Sequence, residues 1–135
     1  MTGRTCQRSF NMEIHESAED YLEKILMLKN KYGIVRSIDI VNDLGYSKPS
    51  ISIAMKKLRE NGYIEMDSDN YITLTASGMK IASRIYDRHQ TLTKLLLRFG
   101  VEQSVAEKDA CKIEHDISDE TFKKIKAFLK KDDAV

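Results

Sequence analysis

Apolar residues recur with helical spacing in three short runs near the start of the chain. Tyr21, Leu22, Ile25, Leu26 and Leu28 carry the first run. It opens with Ser17 as an N-cap, places Glu19 and Asp20 in the first turn where negative charge suits the helix dipole, and ends at Gly33. The second run, Ile38, Ile40, Val41 and Leu44, is predicted to be capped by Ser37 and closed by Gly45. In the third, Ile51, Ala54, Met55 and Leu58 follow the i, i+3, i+4, i+7 pattern behind Ser47 as cap and Pro49 in the first turn, with Gly62 past the end. After Gly62 the period changes to two. Tyr63–Met66 and Tyr71–Leu74 read as strands and Asp67–Asn70 as the turn between them.

Thr75 to Phe99 then reads as one long helix with apolar Met79, Ile81, Ala82, Ile85, Tyr86, Leu92, Leu95, Leu96 and Phe99. Gly100 breaks it. A further helix is expected from about Glu102 to Asp116, and Ser118 caps a last one with Phe122, Ile125, Phe128 and Leu129. The expected fold is mostly α with a small β-hairpin. A winged helix-turn-helix over residues 14–75 is followed by a connector helix and a helical dimerisation region over 76–131, with the aperiodic residues 1–13 as a disordered tail. Two short amphipathic helices bury little alone, so they are expected to pack on the connector and on a second copy of the chain.

The third helix carries Pro49, Ser52, Ile53, Lys56, Lys57 and Glu60 opposite its apolar stripe. Taken alone, such a segment is as readily an ordinary surface helix. The preceding short helix and the following hairpin make it the recognition helix of a winged helix. On that reading Ser47, Pro49, Ser50, Ser52 and Ile53 lie near bases, where an exposed β-branched Ile53 can meet a thymine methyl. Arg36, Lys48, Lys56 and Lys57 face phosphates, with the wing from Ser68 to Tyr71 alongside.

Composition narrows the class. The 135 residues suit one domain or one domain with a helical extension, and 41% apolar with 32% charged residues indicates a soluble chain with a core. A net charge of +1 argues against indiscriminate coating of nucleic acid. It leaves room for specific binding, because Lys48, Lys56, Lys57 and Arg59 cluster while Glu13, Glu16, Glu19, Asp20 and Glu23 crowd the early chain. No apolar run has membrane-spanning length. The two cysteines, Cys6 and Cys111, offer no disulfide framework, so a cytoplasmic protein is expected.

A second constellation lies in Cys111-Lys112-Ile113-Glu114-His115. On a continuous helix Cys111, Glu114 and His115 share one face and offer thiolate, carboxylate and imidazole, the donors of a first-row divalent metal. His89 on the connector and the i, i+3 pair Asp20 and Glu23 supply further donors. Each has a plainer reading: Asp20 as a dipole carboxylate, Glu23 as a partner for Lys24 or Lys29, Cys111 as a small core residue, His89 as a hydrogen-bonded surface histidine. Spacing does not decide whether the helices meet. With no phosphate-binding glycine loop, zinc-protease motif or Ser/His/Asp set, an enzyme with a small-molecule substrate is not expected.

From Ile14 to about Lys130 the chain resembles the diphtheria toxin repressor and manganese transport regulator family of metal-dependent repressors. The resemblance rests on Glu19-Asp20-Tyr21-Leu22-Glu23, Ser47-Lys48-Pro49-Ser50-Ile51-Ser52, Asn61-Gly62-Tyr63-Ile64, Leu74-Thr75-Ala76-Ser77-Gly78, Arg88-His89 and Asp109–His115. It implies a homodimer on a palindromic operator in double-stranded DNA, repressing metal-uptake genes. The implied metal ligands are Asp20, Glu23, His89, Cys111, Glu114 and His115, with Glu107 as an extra. The set is mixed: Asp20 and Glu23 look like the manganese branch, whereas Cys111 looks like the iron branch. The length of the chain, without an SH3-like domain, also looks like the manganese branch. Mn(II) or Fe(II) is the implied cofactor, and the thiolate also suits Zn(II) or Co(II) in vitro. The alternative is a metal-independent winged-helix regulator responding to a small ligand or to oxidation of Cys111.

Overall fold

The computed structural model describes the backbone of residues 10–134 and the side chains of residues 18–133. Its elements are α1 (Phe10–Tyr32), α2 (Ser37–Leu44), α3 (Lys48–Glu60), β1 (Ile64–Met66), β2 (Ile72–Leu74), α4 (Ala76–Arg98), α5 (Gln103–Ile113) and α6 (Asp119–Ala134). The chain forms two compact units that divide inside α4, between Arg84 and Ile85.

In the first unit, α1 begins at Phe10, so Ser17 lies within the helix and does not cap it. Met12, Glu13 and Glu16 are good helix formers, and with no glycine or proline nearby nothing in the sequence stops the helix at Ser17. Residues 1–9 of the expected tail lie outside the described residues. Leu22, Ile25, Leu26 and Leu28 bury the apolar stripe of α1, which packs on α2 and β2. The cap of α2 falls one residue earlier than expected: Arg36 is extended, and its N–H donates to Asp39 Oδ2 at 2.8 Å. An acceptor three residues on outweighs the intrinsic preference for serine at the cap. Gly45, at φ 76°, donates its N–H to Val41 O and turns the chain into α3, a left-handed conformation that glycine adopts without strain.

The expected geometry of α3 is present. Ser47 Oγ accepts from Ser50 N at 3.2 Å, Pro49 lies in the first turn, and Ile51, Met55 and Leu58 are buried against α2 and β1. The hairpin pairs Ile64 with Leu74, Glu65 with Thr73 and Met66 with Ile72. Period-two alternation buries Ile64 and Ile72 and leaves Glu65 and Thr73 exposed. Asp67 organises the wing turn, its Oδ1 accepting from the N–H groups of Asp69 and Tyr71 at 2.9 and 3.0 Å. Thr75 joins wing to helix: its hydroxyl donates to Gly62 O at 2.7 Å and accepts from Gly78 N at 3.1 Å.

In the second unit, α4 ends at Arg98, and α5 is shorter than expected, closing at Ile113. Glu102 caps α5 by accepting from Ser104 N, and Ser118 caps α6 by accepting from Thr121 N at 3.1 Å. Hydrogen bonds to the Ser104 hydroxyl and backbone hold the Glu102 carboxyl below its ordinary pKa. Ile85, Leu92, Ala106, Ala110 and Leu129 form the apolar centre. Lys94 and Arg98 near the end of α4 bind Asp132 and Asp133 on α6. Phe99 and Phe128, expected as apolar packing residues, are 69% and 58% exposed.

Candidate metal centre and nucleic-acid face

The second unit contains a fully buried carboxylate. Glu114 follows α5 with its backbone still in the right-handed helical region, its N–H donating to Ala110 O at 2.9 Å. Helical phase therefore continues as far as Glu114. Asp116 N then bonds Ile113 O three residues back, so His115 leaves the helix in a tighter turn. Cys111 and Glu114 keep the i, i+3 relation, and His115, in the turn that follows, lies against the same carboxylate. Glu114 Oε1 lies 2.8 Å from His89 Nδ1, and Glu114 Oε2 lies 3.5 Å from His115 Nε2. Cys111 Sγ and a Glu114 oxygen are within 4.8 Å of each other. Nitrogen, sulfur and oxygen donors thus converge from α4, α5 and the turn after it. Glu107, one turn before Cys111, is exposed and accepts a hydrogen bond from Gln103 Nε2 at 3.0 Å.

Arg88, adjacent to His89, fixes the turn that carries these donors. Only 3% exposed, it donates through Nη1 to Glu114 O at 3.0 Å and to Ile117 O at 2.8 Å. Its second fork nitrogen binds Asp119, and the guanidinium lies 5.2 Å from the Phe122 ring centroid. At the carbonyl of Glu114, the C-cap of α5, the cation also meets the negative end of the helix dipole. No local pattern in the sequence marks Arg88 for this role, since its acceptors lie 26 and 29 residues away. We predict that Arg88→Lys lowers unfolding stability by about 1–2 kcal/mol, because an ammonium cannot reproduce the planar fork. Urea unfolding of the full chain measures this.

In the first unit, Asp20 and Glu23 lie one turn apart on α1, Asp20 half-buried and Glu23 buried. Between them, Tyr21 meets Tyr46 edge-on with ring centroids 6.5 Å apart. Burial, then the neighbouring Tyr46 and Asp20, raise the Tyr21 pKa. Tyr46 directly precedes Ser47, the cap of α3. Lys24 binds Asp43 on α2 at 2.9 Å. The carboxylate-bearing turn of α1 is therefore tied to both helices of the helix-turn-helix.

The expected nucleic-acid residues of α3 lie on its solvent face. Ser47, Lys48, Pro49, Ser50, Ser52, Lys56 and Lys57 are exposed, and Ile53 is 58% exposed. Arg36 and Tyr71, far apart in sequence, are brought together. They form an antiparallel β-bridge, and Val35 O accepts from Ile72 N at 2.7 Å. The segment before α2 thus lies alongside the wing, a pairing that two residues give no periodicity to reveal.

Comparison with known proteins gives matches over both parts of the chain. The family models for the iron-dependent repressor N-terminal DNA-binding domain and for its metal-binding and dimerisation domain match residues 13–71 and 75–133. An uncharacterised HTH-type transcriptional regulator of Methanocaldococcus jannaschii is 34% identical over 118 residues, covering 86% of this chain and 94% of that protein. The transcriptional regulator MntR of Escherichia coli O6:H1 is 36% identical over 116 residues, covering 86% of this chain and 75% of that one. Among solved structures, IdeR of T. acidophilum superposes with a TM-score of 0.75 at 26% identity, over 83% of this chain and 53% of that one. A manganese-dependent transcriptional repressor in complex with manganese gives 0.74 at 29% identity, over 84% and 52%. The chain spans about half the length of these two solved proteins.

Proposed function

This chain belongs to the iron-dependent repressor family, the diphtheria toxin repressor and manganese transport regulator group, and from that membership we propose that it represses metal-uptake genes by metal-dependent binding to a palindromic operator. Asp20, Glu23, His89, Cys111, Glu114 and His115 would hold a divalent ion, Mn(II) or Fe(II). The observation that carries the reading is the buried Glu114 carboxylate facing His89 Nδ1 at 2.8 Å and His115 Nε2 at 3.5 Å. Imidazole, thiolate and carboxylate together suit a first-row divalent metal. A bound ion supplies the positive charge that lets such donors share one space.

The residues of α1 then explain how occupancy reaches DNA. Asp20 and Glu23 flank Tyr21, which packs on Tyr46 beside the cap of α3, and Lys24 binds Asp43 of α2. Holding the carboxylate turn of α1 holds the recognition helix with it. Ser47, Pro49, Ser50, Ser52 and Ile53 read base edges in this proposal, while Arg36, Lys48, Lys56 and Lys57 meet phosphates and Tyr71 contributes from the wing. The exposed apolar residues Leu97, Phe99, Val105 and Phe128 of the second unit support a homodimer, which would present two recognition helices to the two-fold operator. No described helix is long and apolar enough to cross a membrane, and a cytoplasmic location fits a gene regulator.

Cys111 sets the metal preference in this reading, because its thiolate favours Fe(II) or Zn(II) over Mn(II) relative to a carboxylate. The test is duplex binding under Mn(II), Fe(II), Zn(II) and chelator for the wild type and Cys111→Glu. Wild-type binding requires metal, and the variant shifts its preference toward Mn(II). Equal binding in chelator and in every metal would refute the proposal.

A further inference from the structure

We propose that Tyr71 is a positioning residue for Arg36, presenting the guanidinium as a preset phosphate clamp at the junction of α2 and the wing. The inference rests on the DNA-binding reading above and extends it to how one contact is organised. Arg36 Nη2 donates to the Tyr71 hydroxyl at 2.6 Å, and the guanidinium carbon lies 4.4 Å from the Tyr71 ring centroid. The two backbones are bridged as well, so the pair is not merely two long side chains meeting at a surface.

Geometry gives the pair its significance. Arg36 is exposed, and an exposed arginine ordinarily samples many rotamers, each of which must be given up when a phosphate is bound. The Tyr71 ring and hydroxyl restrict that freedom in advance. The hydroxyl engages one terminal nitrogen, and a guanidinium has five N–H donors in a rigid fork, so donors remain for a phosphate. The base of the clamp is firm: Arg36 N donates to Asp39 Oδ2, and Tyr71 N donates to Asp67 Oδ1 in the wing turn. Arg36 thus sits at the start of the helix-turn-helix and Tyr71 at the end of the wing turn, and their contact fixes these two parts of the DNA-binding unit to each other. Tyr71 contributes through Arg36 in this account.

A double-mutant cycle separates this role from direct DNA contact. The full chain with saturating Mn(II) is titrated onto a duplex carrying the tightest sequence selected from a random library, at several salt concentrations. The wild type must bind this duplex in a metal-dependent manner; failure there refutes the functional reading itself. Tyr71→Phe keeps the ring and removes the hydroxyl. It is expected to weaken binding about 3–10-fold, the effect of one lost hydrogen bond, with the salt slope and thermal midpoint unchanged. Arg36→Ala removes one phosphate contact and lowers the slope by about 0.9. In the Arg36→Ala background, Tyr71→Phe should change affinity less than about 1.5-fold, because the group it positions is gone. Equal losses from Tyr71→Phe in both backgrounds would overturn the proposal, as would no loss in the wild-type background.

Discussion

Glu114→Ala is expected to remove the metal response of DNA binding while leaving the metal-free protein folded. Coupling of about 1–3 kcal/mol between the metal site and the operator corresponds to roughly 5–150-fold stimulation, and in the variant this falls below about 2-fold. Glu114 is 0% exposed and touches both His89 and His115, so its loss removes the group around which the other donors of the second unit are arranged. Because the change also takes away the partner of His89 Nδ1, circular dichroism of the metal-free variant checks that it is folded before DNA binding is read. Glu114→Gln separates charge from shape: the amide fills the same volume yet cannot act as an anionic ligand, so it too loses the response. Fluorescence anisotropy of a labelled duplex, in Mn(II) and in chelator, measures both variants. Full stimulation in both would remove Glu114 from the metal centre.

Gly78→Ala is expected to destabilise the DNA-binding unit by about 3 kcal/mol or more, among the larger effects of added volume in a packed site. A Cβ at this position would lie 2.0 Å from Tyr63 O and 2.9 Å from Tyr63 C, both backbone atoms that cannot rotate away. Relief requires the start of α4 to separate from the chain at Tyr63. That would break the hydrogen bonds through which Thr75 joins Gly62 O to Gly78 N. Tyr63 immediately precedes β1, so the strain falls on the connection between recognition helix and wing. Urea unfolding should show an earlier midpoint, and DNA affinity at fixed metal should fall with it. A midpoint within the error of the wild type would mean that the helix start can move freely.

Local signals in the sequence carried much of this architecture. Ser47, Pro49 and the Ile51–Leu58 stripe place the recognition helix, and the change to period two after Gly62 places the wing, because caps and amphipathic spacing act within a few residues. The same locality explains the differences. Ser17 resembles a cap, yet the preceding residues favour helix and extend α1 back to Phe10. At the other end, α5 closes at Ile113, before the expected Asp116, where Arg88 from α4 binds the carbonyls of Glu114 and Ile117. No spacing rule within α5 contains that arginine. Gly78 and the Arg36–Tyr71 pair were illegible for the same reason, since their importance lies in close approach between segments distant along the chain. The donors at Cys111, Glu114 and His115 were legible as types. Their convergence with His89 depends on the packing of α4 with the turn after α5.

Reciprocal linkage on the unmodified full chain tests the central claim, that metal and operator bind to one coupled system. The operator affinity is measured in chelator and in saturating Mn(II), and the Mn(II) affinity is measured with and without saturating operator duplex. Thermodynamic reciprocity requires the same factor from both pairs of measurements, with an expected common value between about 5 and 150. An operator affinity that is identical in chelator and in Mn(II), in a protein that demonstrably binds both, would contradict it.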